Sequence, residues 1–118
     1  MRGNTSKKII EMVRKCGAKK VYLASASPPI RHQNVYGIDM PAVKDLIAHG
    51  KTINQIKKHI KADELIYQSL DDLKRAAKVG NPMIKSFEDS VFTGDYCTGT
   101  VGKKFLEELE NSRLDSSR

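Results

Sequence analysis

Only two short stretches of this chain read as strands, and that scarcity constrains the fold more than any other feature. The first is Lys19-Lys20-Val21-Tyr22-Leu23-Ala24-Ser25-Ala26, an apolar run with β-branched and aromatic members, which reads as a buried strand. The second is Leu65-Ile66-Tyr67. Around them apolar residues recur at helical spacing, and strands alternating with helices imply a parallel sheet with helical crossovers. A sheet needs roughly three or more strands to be independently stable. The pattern therefore reads as α/β with an incomplete parallel sheet, cut at its left edge, where the opening helix has no strand before it, and helix-rich toward its C-terminal part.

Ile9, Ile10, Val13 and Cys16 are spaced as one apolar face of a helix from about Thr5 to Cys16, and Gly17 ends it. Ser27-Pro28-Pro29 shapes the exit from the first strand, because proline donates no ladder hydrogen bond and restricts the residue before it. A loop follows to about Tyr36-Gly37. Pro41 at a first turn and Gly50 past a last one frame a helix, with Val43, Leu46 and Ile47 inward and Asp39 as its cap. Thr52-x-x-Gln55 is a capping box that opens a helix striped by Ile53, Ile56 and Ile60 and stopping near Ala62. Ser69 caps another, carrying Leu70, Leu73, Ala76 and Ala77 up to Gly80, where Asn81-Pro82 breaks the pattern. Phe87 to Cys97 fits neither period and reads as irregular. A final helix spans about Gly102 to Leu114, with Phe105, Leu106 and Leu109 buried.

A chain of 118 residues has room for one domain. Its 39% apolar and 30% charged residues describe an ordinary globular protein. No stretch approaches the roughly 20 apolar residues of a membrane span, and Met1-Arg2-Gly3-Asn4 lacks the apolar region of a signal peptide, so the expected compartment is the cytoplasm. Cys16 and Cys97 form no C-x-x-C pair and suggest neither a zinc site nor a redox motif. His32, His49 and His59 lie in different segments with no ligand at metal spacing. The formal charge of +7 favours anionic partners. It is spread as Lys7-Lys8, Lys19-Lys20, Lys57-Lys58 and Lys103-Lys104 without interleaved aromatics that stack bases, which argues against nucleic acid.

Arg2-Gly3-Asn4-Thr5-Ser6 is a glycine-containing, hydroxyl-rich stretch at a helix start. Phosphates bind at such places, because free backbone N–H groups and the positive end of the helix dipole face the anion. Taken alone, the same residues also read as a plain helix cap.

This stretch continues through the helix into Gly17-Ala18-Lys19-Lys20-Val21-Tyr22-Leu23-Ala24-Ser25-Ala26-Ser27-Pro28-Pro29-Ile30. Tyr36-Gly37-Ile38-Asp39-Met40-Pro41, Asp45-Leu46-Ile47-Ala48-His49-Gly50 and Asp63-Glu64-Leu65-Ile66-Tyr67-Gln68 come after it. Together, in order and over nearly the whole chain, these segments resemble the glutamine-dependent amidophosphoribosyltransferases. The resemblance implies a partial type I phosphoribosyltransferase fold, with residues 1–98 as the C-terminal part of that domain and residues 99–118 as a C-terminal helix and polar tail. It implies that Arg2, Gly3, Asn4, Thr5 and Ser6 are the second half of the phosphoribosyl pyrophosphate loop, which holds the substrate's 5′-phosphate. The reaction implied for the intact parent is displacement of pyrophosphate by glutamine-derived ammonia, giving 5-phosphoribosylamine for purine synthesis. Its partners are phosphoribosyl pyrophosphate or another phosphorylated ribose, and the family suggests oligomers.

On this reading the loop's own strand, its two aspartates that handle the ribose hydroxyls and associated magnesium, and the glutaminase domain have no counterpart in the 118 residues. The chain alone is then expected to be inactive, with magnesium a cofactor of the intact parent only. Some relatives hold an iron–sulfur cluster through four cysteines. Here Asn34 occupies the first of those places and Cys97 has no partner nearby, so the cluster-free branch is the better match. Tyr36, Gly37 and Asp39 either line the active site of the parent or only make a turn and cap a helix. Two other readings stay open, a non-catalytic phosphate or nucleotide binder and an inert truncated remnant whose open sheet edges invite aggregation.

Overall fold

Asp63 fixes how the first helix lies on the sheet. The computed structural model describes residues 2–36 and 40–115. It contains helix α1 (Asn4–Lys15), strand β1 (Tyr22–Ser25), helix α2 (Ile53–Ile60), strand β2 (Glu64–Tyr67) and helices α3 (Leu70–Lys78), α4 (Ser90–Thr93) and α5 (Lys103–Asp115). The Asp63 carboxylate accepts the Val21 N–H at 2.7 Å and the Arg14 guanidinium at 2.6 Å, and its own N–H donates to the Val21 carbonyl at 2.9 Å. These donors, the Val21 N–H first and Arg14 after it, hold the Asp63 carboxyl below the usual carboxylate range. The end of α1 is thereby pinned where both strands begin. Its N-terminus then falls at their carboxyl ends.

The strands pair in parallel, with Tyr22 opposite Glu64 and Ser25 opposite Tyr67, as the α/β pattern requires. Alternation along them puts Leu23, Ser25, Leu65 and Tyr67 on one face. That face meets Ile10 of α1, Ile56 and Ile60 of α2, and Ala48, and this cluster is the core. Fully burying an isoleucine side chain contributes about 1.5–3 kcal/mol, so Ile10, Ile56 and Ile60 are the main support of the arrangement.

The capping box is formed as the sequence indicates. The Gln55 N–H donates to Thr52 Oγ1 at 3.3 Å, and the Thr52 N–H donates to Gln55 Oε1 at 2.8 Å. Ser69 likewise accepts the Asp72 N–H at 3.1 Å. Helix α2 stops at Ile60, two residues short of the expected Ala62, because Lys61 turns left-handed at φ 62°. Helix α5 docks on the long loop through buried Gln33, whose amide donates to the Leu106 carbonyl at 3.1 Å and accepts from Arg113 at 3.1 Å.

Three expectations are corrected. The helix expected between Pro41 and Gly50 is only a 3-10 turn at Val43–Asp45. Met40, Ala42, Leu46 and Ala48 are its buried members, a spacing of two that belongs to extended chain rather than to a helix. Leu46 leaves the turn extended at φ −71°, ψ 121°, and side chains from elsewhere hold the segment: the Val43 N–H donates to both Glu110 carboxylate oxygens at 2.9 and 3.0 Å, and Arg31 donates to the carbonyls of Ala48 and Lys51 at 2.6 and 2.8 Å. The proposed cap Asp39 lies outside the described residues.

Second, the apolar face of α1 and the first strand are less buried than their patterns imply. Only Ile10 of the helix face reaches the core, while Ile9, Val13 and Cys16 are exposed and Tyr22 is 62% exposed. Phe105 of α5 is also exposed rather than buried. Third, the segment read as irregular between Phe87 and Cys97 contains the single turn of α4, which Gly94 closes in the left-handed region at φ 87°.

Candidate functional site

Gly3 makes the sharp entry into α1. It sits at φ 78°, ψ −8°, in the left-handed region that glycine enters freely, and a Cβ there would overlap the Ile47 side chain. Because Gly3 is the residue preceding the helix, no side chain caps the first turn, and the leading N–H groups of α1 keep their capacity for an anion. No acidic residue stands in that first turn to repel one. Arg2, Gly3, Asn4, Thr5 and Ser6 together line a cavity of about 280 Å³. These five residues are consecutive, and the turn at Gly3 folds them around one cavity.

A second cavity, about 190 Å³, adjoins the first through Gly3 and Ser6 and is lined by Ser25, Ser27 and Tyr67 at the carboxyl ends of the strands. Ligands of open α/β sheets bind at that end of the strands. Ser27 is tied into the strand exit, as expected: its N–H donates to Ser25 Oγ at 3.2 Å and its hydroxyl donates to the Pro28 carbonyl at 2.9 Å. Burial pushes the Tyr67 phenol above its usual value, against the opposing charge of Arg31, so it faces the cavity as a neutral hydroxyl.

Two residues of the cradle's frame come from far along the chain. Arg2 pairs with Asp45 at 3.2 Å, and Ile47 packs against Gly3. Sequence reading placed neither beside the loop, since both were assigned to a helix of their own. The ion pair with Asp45 holds Arg2 beside the loop.

Tyr36 belongs elsewhere. Its phenol shares a 2.5 Å hydrogen bond with the Thr98 hydroxyl, and its ring meets that of Tyr96 edge to face with centroids 5.5 Å apart. It lines neither cavity of the cradle. Gly37 and Asp39 lie outside the described residues. His32 packs against Gly94, and burial, then the charges of His49 and Arg31, hold its pKa below the usual value. A larger cavity of about 540 Å³ lies between α3 and residues 85–97. Of its cations Lys74, Arg75, Lys78 and Lys85, Lys74 pairs with Asp89 and Arg75 with Asp72. Among the described residues no group of three or more His, Cys, Asp or Glu side chains is placed to hold a metal ion, and no helix is long and apolar enough to cross a membrane.

Over all 118 residues the chain is 52% identical to amidophosphoribosyltransferase of Escherichia coli (strain K12), 47% to that of Haemophilus influenzae and 46% to that of Schizosaccharomyces pombe. The chain aligns from end to end with one segment of those amidophosphoribosyltransferases. It spans 23%, 23% and 22% of the length of those three proteins. No family model matches it. The cradle, the turn at Val43–Asp45 and both strands all lie within the stretch matched to the amidophosphoribosyltransferases.

Proposed function

We propose that this chain supplies the phosphate-holding part of a phosphoribosyl-transfer site, and that the enzyme it serves makes 5-phosphoribosylamine from phosphoribosyl pyrophosphate and glutamine-derived ammonia. In that reaction the ammonia nitrogen bonds to C1 of the ribose as the C1–oxygen bond to pyrophosphate breaks. The contribution of Arg2 to Ser6 is to bind and orient the 5′-phosphate, which fixes the ribose for attack. The observation that carries the reading is the uncapped, glycine-led start of α1, where those five consecutive residues line one cavity. The match to the amidophosphoribosyltransferases along the entire chain supports the same assignment.

The adjoining cavity at the strand ends suits the sugar, with Ser25, Ser27 and Tyr67 offering hydroxyls. The described residues supply positioning rather than bond chemistry, so the isolated chain binds a phosphorylated ribose without turning it over. None of these residues is assigned a role toward magnesium or an iron–sulfur cluster. The chain's further partners are copies of the same enzyme rather than nucleic acid, since the lysine pairs are dispersed. Two exposed, unpaired thiols, Cys16 and Cys97, fit the reducing cytoplasm.

Calorimetric titration with ribose 5-phosphate, and separately with phosphoribosyl pyrophosphate and magnesium, tests this. Micromolar to millimolar binding that disappears in Thr5→Ala/Ser6→Ala is the expected result. A folded chain with no heat of binding for either ligand overturns it.

A further inference from the structure

The proposed phosphate cradle carries a carboxylate at its rim that phosphate chemistry alone does not ask for. Asp45 Oδ2 lies 3.2 Å from the Arg2 guanidinium, with the two side chains 35% and 57% exposed. Two residues after Asp45 the same segment reaches the loop at a second point, through Ile47 against Gly3. The turn itself is held from behind by the Glu110 carboxylate on the Val43 N–H. Asp45 is thus presented to Arg2 from a braced support and not from a free loop.

Arginine is the cation in the cradle best shaped to grip a phosphate with paired hydrogen bonds. A carboxylate 3.2 Å away occupies one of the five N–H donors and offsets part of the guanidinium's charge, so a phosphate meets a cation already partly engaged. Resting on the reading of the cradle as a phosphate site, we propose that Asp45 is an internal competitor for Arg2, which sets the affinity of the cradle for phosphate monoesters. Without ligand, Asp45 keeps Arg2 in place beside the cavity. When the phosphate enters, Arg2 transfers from Asp45 to it, and the site binds less tightly than an unopposed arginine would allow. The advantage is a pre-placed cation whose grip loosens for product release.

A partly exposed ion pair is a weak competitor, so removing it raises affinity by about three- to fivefold. The experiment is a mutant cycle on the full chain, with inorganic phosphate and ribose 5-phosphate as probes, comparing the original sequence with Asp45→Asn, Arg2→Ala and the double variant. Asp45→Ser serves as a second replacement should Asp45→Asn fail to fold, with circular dichroism as the check. The expected result is tighter binding of both probes in Asp45→Asn and no gain when Arg2 is already alanine. Equal tightening with and without Arg2 overturns the competition and assigns Asp45 a simple repulsive field, while leaving the phosphate site intact. Weaker binding in Asp45→Asn also overturns it, because Asp45 would then be an aid to Arg2. No binding in any variant removes the phosphate reading itself.

Discussion

At Gly3 two separate constraints fall on one residue. A left-handed alanine costs about 1–2 kcal/mol by its own backbone, and an added Cβ also meets the Ile47 side chain. Gly3→Ala should therefore lower stability by at least the first amount, measured by urea denaturation, and weaken ribose 5-phosphate binding in parallel. Shortening the neighbour in Gly3→Ala/Ile47→Ala relieves the overlap but not the backbone, so part of the loss persists. A neutral Gly3→Ala would show that the entry to α1 is not left-handed in solution. The cradle was legible in the sequence because its five residues are contiguous and stand at a helix start. Asp45 and Ile47 were not legible, since their contacts to Arg2 and Gly3 cross more than forty positions and depend on how the turn at Val43–Asp45 is braced.

The elements that the sequence made legible are those with local chemistry. The capping box at Thr52 and the cap at Ser69 close within three residues, so the starts of α2 and α3 are fixed by neighbours. The segment from Pro41 to Gly50 is the contrary case, where Glu110 and Arg31 satisfy the backbone from a distance and Pro41 and Gly50 alone misread it as a helix. Glu88 shows the same long reach at α4. Its carboxylate accepts the N–H groups of Ser90 and Cys97, each at 3.1 Å, and so ties the start of the turn to its exit. What burial there is pushes the carboxyl up, but the donors from Ser90 and Cys97 outweigh it and hold it at about 2, from an ordinary 4.5. Because the unfolded chain takes up this proton at a higher pH than the folded one, the contribution is present above about 4.5 and lost as pH falls toward 2. Glu88 lies at the surface, where solvent screens it, so the effect is small. Melting temperatures at both ends of that window should drop less on acidification in Glu88→Gln than in the original sequence. Asp63 and Asp72, also held low by their hydrogen bonds, contribute equally to both proteins and cancel in the comparison. An identical drop would mean that the carboxylate is not bound to the turn.

At the scale of the whole molecule, among the described residues the core lies on one side of a two-stranded sheet and the other side is exposed. Tyr22, Ala24 and Ile66 form that outer face, with Ile66 55% exposed. The radius of gyration is 16.7 Å, against about 13.5 Å for a compact domain of this length, which is the shape expected when elements spread rather than wrap one centre. Strand edges open to pairing and an uncovered apolar face both drive association in water. The isolated chain should therefore associate with itself as its concentration rises, seen as a growing average mass in sedimentation velocity. Ile66→Lys places a charge at the middle of the bare face without touching Ile10, Ile56 or Ile60. It should reduce that association while leaving the far-ultraviolet circular dichroism unchanged, since β-pairing and the inner core are untouched. Association that persists in Ile66→Lys would move the contact to the strand edges or to the exposed Ile9 and Met12 of α1. A chain that stays monomeric throughout would show that the outer face is covered in solution by a rearrangement of its own helices.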